Sequence, residues 1–181
     1  MVYILLGDGF ETVEALCPCD LMRRAGISVA LTSVMGRKEV VSGQNITVTA
    51  DILLSEVDFD APELVMLPGG LGGVENILRS AEACELVKRA AAAGKWVTAI
   101  CAAPTVLAKL GLLEGKKATV YPGMEGQLTG ALPQVGSACV RDGKVITGEA
   151  AGSSFDFGLE LVAQLKGQEA ADKVRFGVHY R

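Results

Sequence analysis

Apolar residues in this chain fall into two patterns, short unbroken runs and runs in which they recur every three to four positions. Unbroken apolar runs are typical of strands that are covered on both faces, and strict alternation with polar residues is typical of strands with one exposed face. On this basis we predict strands at Val2–Leu6, Ile27–Val34, Ile46–Ala50, Leu64–Leu67 and Trp96–Ile100. A hairpin is predicted within 139–146, where Asp-Gly supplies the turn.

Helical spacing separates these strands. The helix over Thr12–Arg24 carries one apolar face, and Gly26 is expected to cap its carboxyl end. The other predicted helices cover Val74–Leu78, Ala83–Ala93, a segment ending near Leu110, Ser154–Leu165 and a shorter tail from Gln168. The glycine-rich stretch Lys117–Val140 shows no clear period. Strands that alternate with helices indicate an α/β fold with a mainly parallel sheet and helices on both faces, within a single domain over residues 1–181.

Composition and charge exclude several classes of function. The chain has 181 residues and a net charge of -4 without a basic cluster, which argues against a nucleic-acid partner. No uncharged apolar run approaches the ~20 residues of a membrane span, so no membrane association is expected. The five cysteines are an odd number and no signal sequence precedes the first strand. We therefore expect a cytoplasmic protein with free thiols.

The cysteines do not match a metal site. Cys17 and Cys19 are the only close pair, and one intervening residue is not the C-x₂-C spacing of a zinc site. The single histidine, His179, lies near the carboxyl end of the chain. We expect no metal and no other cofactor.

Cys101 lies where an apolar β-branched run stops and a helical pattern begins, with Ala102, Ala103 and Pro104 directly after it. A nucleophile between a strand and a helix, among small neighbours, is the arrangement of a nucleophile elbow. The positive end of the following helix is expected to lower the pKa of the thiol and to favour the thiolate. The alternative is a buried core cysteine at the end of a strand.

Two other segments are expected at the same edge of the sheet, because ligands bind beyond the carboxyl ends of parallel strands. The first contains Glu11 and Glu14, three residues apart at a helix start. Glu11 is explained equally well as a favourable charge at the helix amino end, whereas Glu14 lies among apolar neighbours that would raise the pKa of its carboxyl group. The second contains Gly69 and Gly70, whose N–H groups could face an oxyanion or could simply form a turn.

Three segments together resemble a known family: Leu67-Pro68-Gly69-Gly70, Ala99-Ile100-Cys101-Ala102-Ala103-Pro104 and Asp20-Leu21-Met22-Arg23-Arg24-Ala25-Gly26. In this order they are similar to the DJ-1/ThiJ/PfpI superfamily, in the branch of the Parkinson-disease-associated protein and its bacterial relatives. The resemblance continues through Gly152-Ser153-Ser154-Phe155-Asp156-Phe157. It implies a flavodoxin-like three-layer α/β sandwich of the class I glutamine amidotransferase type, usually assembled as a homodimer.

The resemblance also implies roles for individual residues. Cys101 corresponds to the reactive cysteine, and Glu14 to the buried glutamate that hydrogen-bonds to it. The N–H groups of Gly70 and Ala102 would form an anion pocket. Glu11, Gly69 and Tyr121 are expected to contribute to substrate binding at the edge of that pocket.

The chain also departs from its family. Tyr121 stands where the animal protein has a pocket histidine, and Ala102 stands where the protease branch has a histidine after the cysteine. A cysteine–histidine pair would require His179, which nothing in the sequence brings to the pocket. A protease or an amidotransferase is therefore disfavoured.

Two functions follow from these expectations. The first is a stress-response enzyme of the glyoxalase III or protein deglycase type, in which the Cys101 thiolate attacks a reactive dicarbonyl and Glu14, with Glu11 as a second acid, moves the proton. It would act on small aldehydes or glycated substrates without glutathione. The second is an oxidative-stress sensor or redox-regulated chaperone in which Cys101 is oxidised to a sulfinate.

Overall fold

The computed structural model describes residues 1–60 and 62–181. Its strands are β1 Val2–Leu6, β2 Val29–Ser33, β3 Glu39–Val41, β4 Thr47–Thr49, β5 Ile52–Leu53, β6 Leu64–Leu67, β7 Trp96–Ile100, β8 Lys117–Ala118, β9 Leu132–Pro133, β10 Cys139–Asp142 and β11 Val145–Gly148. Its helices are α1 Thr12–Arg24, α2 Leu71–Arg79, α3 Ala81–Ala92, α4 Pro104–Lys109, α5 Ser154–Lys166 and α6 Gln168–Gly177.

Seven strands form one sheet in the order β10-β11-β7-β6-β1-β2-β5. All neighbours in it run parallel except β10 and β11, which form the predicted antiparallel hairpin around Asp142-Gly143. Successive residues of β1 face opposite sides: Leu5 belongs to the core cluster with α3 and α4, and Ile4 to the cluster with α1 and α5. The three-layer, mainly parallel α/β sandwich is confirmed.

The buried strands and long helices lie close to their predicted positions. Strands β1, β6 and β7 match residue for residue, because each is completely buried and therefore uniformly apolar. Gly26 follows the end of α1 with a φ of +70°, as expected for a glycine at a helix end.

Several predicted boundaries were wrong. The second strand begins at Val29 rather than Ile27. Helix α2 begins at Leu71, three residues before its predicted start at Val74. The strand predicted at Ile46–Ala50 is only the second arm, Thr47–Thr49, of a small antiparallel hairpin with β3. Within the glycine-rich stretch, β8 and β9 pair in parallel over two residues each, and runs this short carry no period.

The order of the sheet determines where a site can form. Strands β7, β6 and β1 are adjacent and parallel, so their carboxyl ends meet at one edge. The segments that follow them are Cys101 after β7, Pro68–Gly70 after β6 and 7–11 after β1. All three predicted segments therefore meet at one edge of the sheet.

Candidate active site

Cys101 occupies the sharp corner that the sequence predicts. Its φ is +65°, in the left-handed region that residues with a side chain rarely adopt. Both backbone groups are held, since its N–H donates to the Gly148 carbonyl at 3.0 Å and its carbonyl accepts the Tyr121 N–H at 2.8 Å. A non-glycine residue in this conformation costs on the order of 1–3 kcal/mol, so the surrounding contacts must impose it.

Glu14 lies beside this corner, inside the protein. It sits in the first turn of α1 with 1% of its surface exposed, and its Oε2 accepts the Gly69 N–H at 2.9 Å. Its other oxygen, Oε1, is buried and has no hydrogen bond of ordinary geometry with any described residue. The Cys101 thiol is the side-chain group with which the carboxyl interacts.

The glycine pair allows this contact. A Cβ on Gly69 would lie 2.5 Å from Glu14 Oε2 and 2.7 Å from Cys101 Cβ, so any side chain there would displace both groups. Gly70 has a φ of +85°, and a Cβ on it would collide with the carbonyl of Gly9. Both positions therefore require glycine.

Only one of the two glycines keeps a free N–H for an anion. The Gly69 N–H is taken by Glu14, which corrects the expectation that both would face an oxyanion. The N–H groups of Gly70 and Ala102 are directed at the Cys101 sulfur. They are the two donors available to negative charge at this site.

Burial governs the protonation of the pair. Loss of hydration raises the pKa of Glu14 to about 7, and the negative charge of Glu11 acts in the same direction, whereas the Cys101 thiol and the Gly69 N–H oppose it. Burial and the neighbouring Glu14 carboxylate raise the pKa of the Cys101 thiol to about 12, against the Ala102 and Gly70 N–H groups. Below pH 7 the two groups therefore hold two protons, and above pH 7 they hold one proton between them.

This result corrects the predicted role of the helix. Helix α4 has six residues and begins at Pro104, three positions after Cys101, and the thiol pKa is raised rather than lowered. Burial and the Glu14 carboxylate both oppose the thiolate; a proton on Glu14 removes the repulsion by the carboxylate and leaves the two N–H groups to stabilise a negative sulfur. Burial and the carboxyl, and not the helix, determine the direction of this shift.

Glu11 has the structural role that the sequence left open. It is the residue before the first turn of α1, and its carboxylate Oε2 accepts the Glu14 N–H at 2.8 Å. This bond caps the helix and fixes the backbone that carries Glu14. Glu11 also lines the cavity in front of Cys101, so its predicted place at the pocket edge is compatible with the cap.

The cavity above the sulfur has a volume of about 400 Å³. It is lined by Glu11, Gly70, Leu71, Cys101, Ala102, Tyr121, Pro122, Gly123 and Met124. Tyr121, one of these lining residues, is 49% exposed, and its contribution to binding stays a prediction. A larger cavity of about 550 Å³ lies near the amino ends of the strands, with Val97 and Val145 in its wall, and no cysteine lines it.

The remaining candidate groups lie elsewhere. His179 follows α6 and packs near the Phe176 ring, and it is not among the residues that line the Cys101 cavity. Among the described residues no group of three or more histidine, cysteine or acidic side chains is placed to hold a metal ion. In the same residues, no helix is long and apolar enough to cross a membrane.

The β3–β4 hairpin supports the site, a role that was not predicted from the sequence. Asp8 accepts the Val41 N–H at 3.0 Å, and the Gly9 N–H donates to the Val41 carbonyl at 2.7 Å. The Gly43 N–H donates to the Phe10 carbonyl, so the hairpin holds the whole segment between β1 and α1. The pair Val40-Val41 followed by Ser-Gly-Gln-Asn was a hairpin signal, but it is too short to be distinctive.

Comparison with known proteins identifies the family of this chain. The model of the DJ-1/PfpI family matches residues 1–164. The chain belongs to the DJ-1/PfpI family. It is 35% identical over 176 residues to protein dj-1beta of Drosophila melanogaster, covering 97% of this chain and 94% of that protein. It is 31% identical over 167 residues to a protein of Pyrococcus abyssi named a deglycase, covering 91% of this chain and 99% of that protein.

Solved structures of DJ-1 proteins have the same fold. A mutant of a DJ-1 superfamily protein from Salmonella typhimurium superposes with a TM-score of 0.95 at 32% identity, over 99% of this chain and 98% of that one. Drosophila DJ-1beta gives 0.94 at 33% identity, over 99% and 97% of the two chains. A DJ-1 from Toxoplasma gondii, described as oxidised, gives 0.95 at 32% identity, over 99% and 97%.

The raised pKa of Glu14 predicts how stability depends on pH. The folded pKa of about 7 lies above the ordinary value of 4.5, so the folded protein keeps a proton that the unfolded chain releases between these values. The contribution of Glu14 to stability is therefore greatest below pH 4.5 and decreases by roughly 3 kcal/mol as pH rises to 7. Glu14→Gln should remove that decrease.

Urea unfolding of both proteins at pH 4.5 and pH 8 measures the difference. The free energy of unfolding of the variant relative to wild type should rise by roughly 3 kcal/mol between the two pH values. Groups other than Glu14 cancel in this comparison. An unchanged difference would show that Glu14 titrates normally in the folded protein.

Proposed function

We propose that this protein is a cysteine-dependent enzyme that converts reactive 2-oxoaldehydes into 2-hydroxy acids, as a glyoxalase III or protein deglycase does, without glutathione, metal or other cofactor. The observation that carries the proposal is the pair formed by Cys101 and the buried Glu14, whose carboxyl group has a pKa raised to about 7 beside the thiol. A nucleophile and a general acid–base with a pKa near 7 are what this reaction needs. The Pyrococcus abyssi relative named a deglycase supports the same class of chemistry.

In the first step the Cys101 sulfur attacks the aldehyde carbon. A carbon–sulfur bond forms, the π electrons of the carbonyl move to its oxygen, and the thiol proton passes through Glu14 to that oxygen. The developing negative charge lies within reach of the Gly70 and Ala102 N–H groups that are directed at the sulfur. The product is a hemithioacetal.

In the second step Glu14 removes the hydrogen of the former aldehyde carbon as a proton. The electron pair moves onto the adjacent ketone oxygen to give an enediolate, and Glu14 then returns the proton to the second carbon. The hydroxyl proton of the first carbon passes to the oxygen of the second as the thioester carbonyl forms. The first carbon is oxidised and the second is reduced, so no external oxidant is needed. The result is a thioester of the 2-hydroxy acid on Cys101.

Water then cleaves the thioester. It adds to the thioester carbonyl, the carbon–sulfur bond breaks, and the sulfur regains its proton through Glu14. The sum is one 2-oxoaldehyde and one water giving one 2-hydroxy carboxylate and one proton. Methylglyoxal would give lactate.

Turnover of methylglyoxal tests the proposal. We expect the wild-type protein, with a chelator and without glutathione, to form many equivalents of lactate per protein chain, quantified by NMR. Stoichiometric adducts on lysine, arginine and cysteine would consume methylglyoxal without releasing lactate. Lactate at the rate of the protein-free buffer would overturn the proposal.

A redox sensor is the second candidate, because the same groups would hold an oxidised sulfur. The Gly70 and Ala102 N–H groups and a protonated Glu14 could all donate hydrogen bonds to a Cys101 sulfinate. Under graded peroxide, peptide mass spectrometry should then show two added oxygens on Cys101 before any of the other four cysteines changes. Earlier oxidation of Cys17 or Cys139 would remove the basis of this candidate.

We also propose that the chain forms a homodimer, and that it acts in the cytoplasm. Val13 at the start of α1 and Ile46 in the β3–β4 hairpin are 48% and 49% exposed. The two elements are adjacent, since Thr12 donates a hydrogen bond to Gln44 at 3.3 Å. Exposed apolar side chains on neighbouring elements suit a protein interface. Comparing the sedimentation of the wild type with that of Ile46→Glu tests whether this surface is the dimer interface.

A further inference from the structure

The wall of the Cys101 cavity differs sharply from its floor. The floor carries the sulfur and the Gly70 and Ala102 N–H groups, which suit the reacting carbonyl. Leu71 and Met124 in the wall contribute apolar side chains. The reacting end of a ligand and the group attached to it therefore meet different surroundings.

Two large apolar side chains are exposed at the mouth. Leu71, the first residue of α2, is 73% exposed, and Tyr121 is 49% exposed. Both line the cavity, so an apolar group held above the sulfur would cover surface that water now covers. A methyl group is too small to reach far into about 400 Å³, a volume within the range of sites that take larger organic ligands.

The charge in the cavity wall is negative and repels anionic ligands. Glu11 is the only ionisable carboxylate among the residues that line the cavity, and none of the described lining residues is a lysine, arginine or histidine. An anionic group carried above the sulfur would meet the Glu11 charge without a cation to compensate it. The wall therefore disfavours carboxylated or phosphorylated ligands.

We propose that this wall selects the side group of the substrate, favouring neutral aryl or branched alkyl 2-oxoaldehydes over small or anionic ones. That such compounds are turned over as substrates rests on the proposed function. The selection of the side group is a property of the cavity itself. Leu71 is the specificity-determining residue that the geometry singles out. An apolar group fitted into such a pocket changes a rate constant by tenfold or more.

Alkylation of Cys101 tests the selection without turnover. Bromoacetone, 2-bromoacetophenone and 4-(bromoacetyl)benzoate each form a carbon–sulfur bond and release bromide, and the thiol proton leaves through Glu14 or to water. Each rate, measured by peptide mass spectrometry, is divided by the rate of the same reagent with N-acetylcysteine, which removes intrinsic reactivity. We expect the normalised rate of the phenyl reagent to exceed that of the methyl reagent by about tenfold or more. The carboxylated reagent should fall about tenfold below the phenyl reagent.

Substitutions of Leu71 test whether this side chain causes the preference for the phenyl reagent. Leu71→Ser should reduce the preference for phenyl over methyl several-fold, and Leu71→Lys should accelerate the carboxylated reagent. Val135→Ser is the matched control, because Val135 is equally exposed, at 74%, and does not line the cavity. Equal normalised rates for the three reagents, or the same change in the Val135 variant, would overturn the proposal.

Turnover then separates this inference from the proposed function. If both hold, kcat/KM for phenylglyoxal exceeds that for methylglyoxal, and Leu71→Ser narrows the gap. Selective alkylation without any hydroxy acid product would leave the selection in place and refute the enzymatic function. Turnover without a preference for the phenyl compound, in kcat/KM and in alkylation, would support the enzymatic function and refute the selection.

Discussion

Cys101→Ser should lower the rate of lactate formation from methylglyoxal by about 10³-fold or more, to the rate of buffer alone. The serine hydroxyl is a far weaker nucleophile at neutral pH, and a carboxyl group with a pKa of about 7 cannot deprotonate it to a useful extent.

The control for this substitution is Cys84→Ser. Cys84 lies in α3, is half-buried, and donates a weak hydrogen bond to the Ile77 carbonyl at 3.6 Å. A serine can make the same bond, and its activity should remain within about twofold of wild type. Equal loss of activity in both variants would point to general damage by thiol loss. Full activity of Cys101→Ser would exclude the Cys101 thiol from the mechanism.

Glu14→Gln should lower kcat by about 10² to 10⁴-fold, with a smaller change in KM. Glutamine has a carbonyl oxygen that can still accept the Gly69 N–H, so the loop that carries the glycine pair keeps its anchor. What the variant loses is the ability to take and return a proton. The effect should therefore fall on the chemical steps.

Glu82→Gln is the corresponding control, because Glu82 is an acidic residue in the first turn of another helix, α3, and is exposed to solvent. Its kinetic constants should match those of wild type. The role of Glu14 in proton transfer is contradicted if Glu14→Gln raises KM alone and leaves kcat unchanged. A substrate-binding role for the carboxylate would then be the better explanation.

Much of the site could be predicted because its residues are local in sequence. The corner at Cys101 is marked by small residues after a fully apolar strand, and the φ of +65° confirms it. Glu14 was recognisable because a carboxyl among apolar neighbours in the first turn of a helix needs a partner. Its meeting with Cys101 depends on the adjacency of β1, β6 and β7, which only the sheet order shows.

The protonation of the site could not be predicted in the same way. From the sequence, the dominant influence on the thiol was the helix that follows it. In the fold, burial and the contact with a carboxyl 87 positions earlier outweigh that helix and reverse the direction of the shift. Short-range effects at buried groups depend on packing contacts between distant segments, and no local pattern encodes them.

The short elements were missed for a different reason. Strand β5 has two residues and β3 has three, so neither reaches the four residues over which alternation can be detected. The fold specifies them through neighbours: β5 pairs with the end of β2, and β3 with β4. The first arm of the hairpin that holds residues 8–10 was missed for this reason, although its second arm lies within the strand predicted at Ile46–Ala50.

The central claim is that Cys101 and Glu14 share one proton, and the pH dependence of Cys101 alkylation tests it most directly. With iodoacetamide and peptide mass spectrometry, the rate for the wild-type protein should rise through a transition near pH 7, where the pair loses its first proton. In Glu14→Gln the only titrating group of the pair is the buried thiol, so the transition should move above the ordinary thiol value of 9.0. Transitions at the same pH in both proteins would contradict the shared proton and the mechanism built on it.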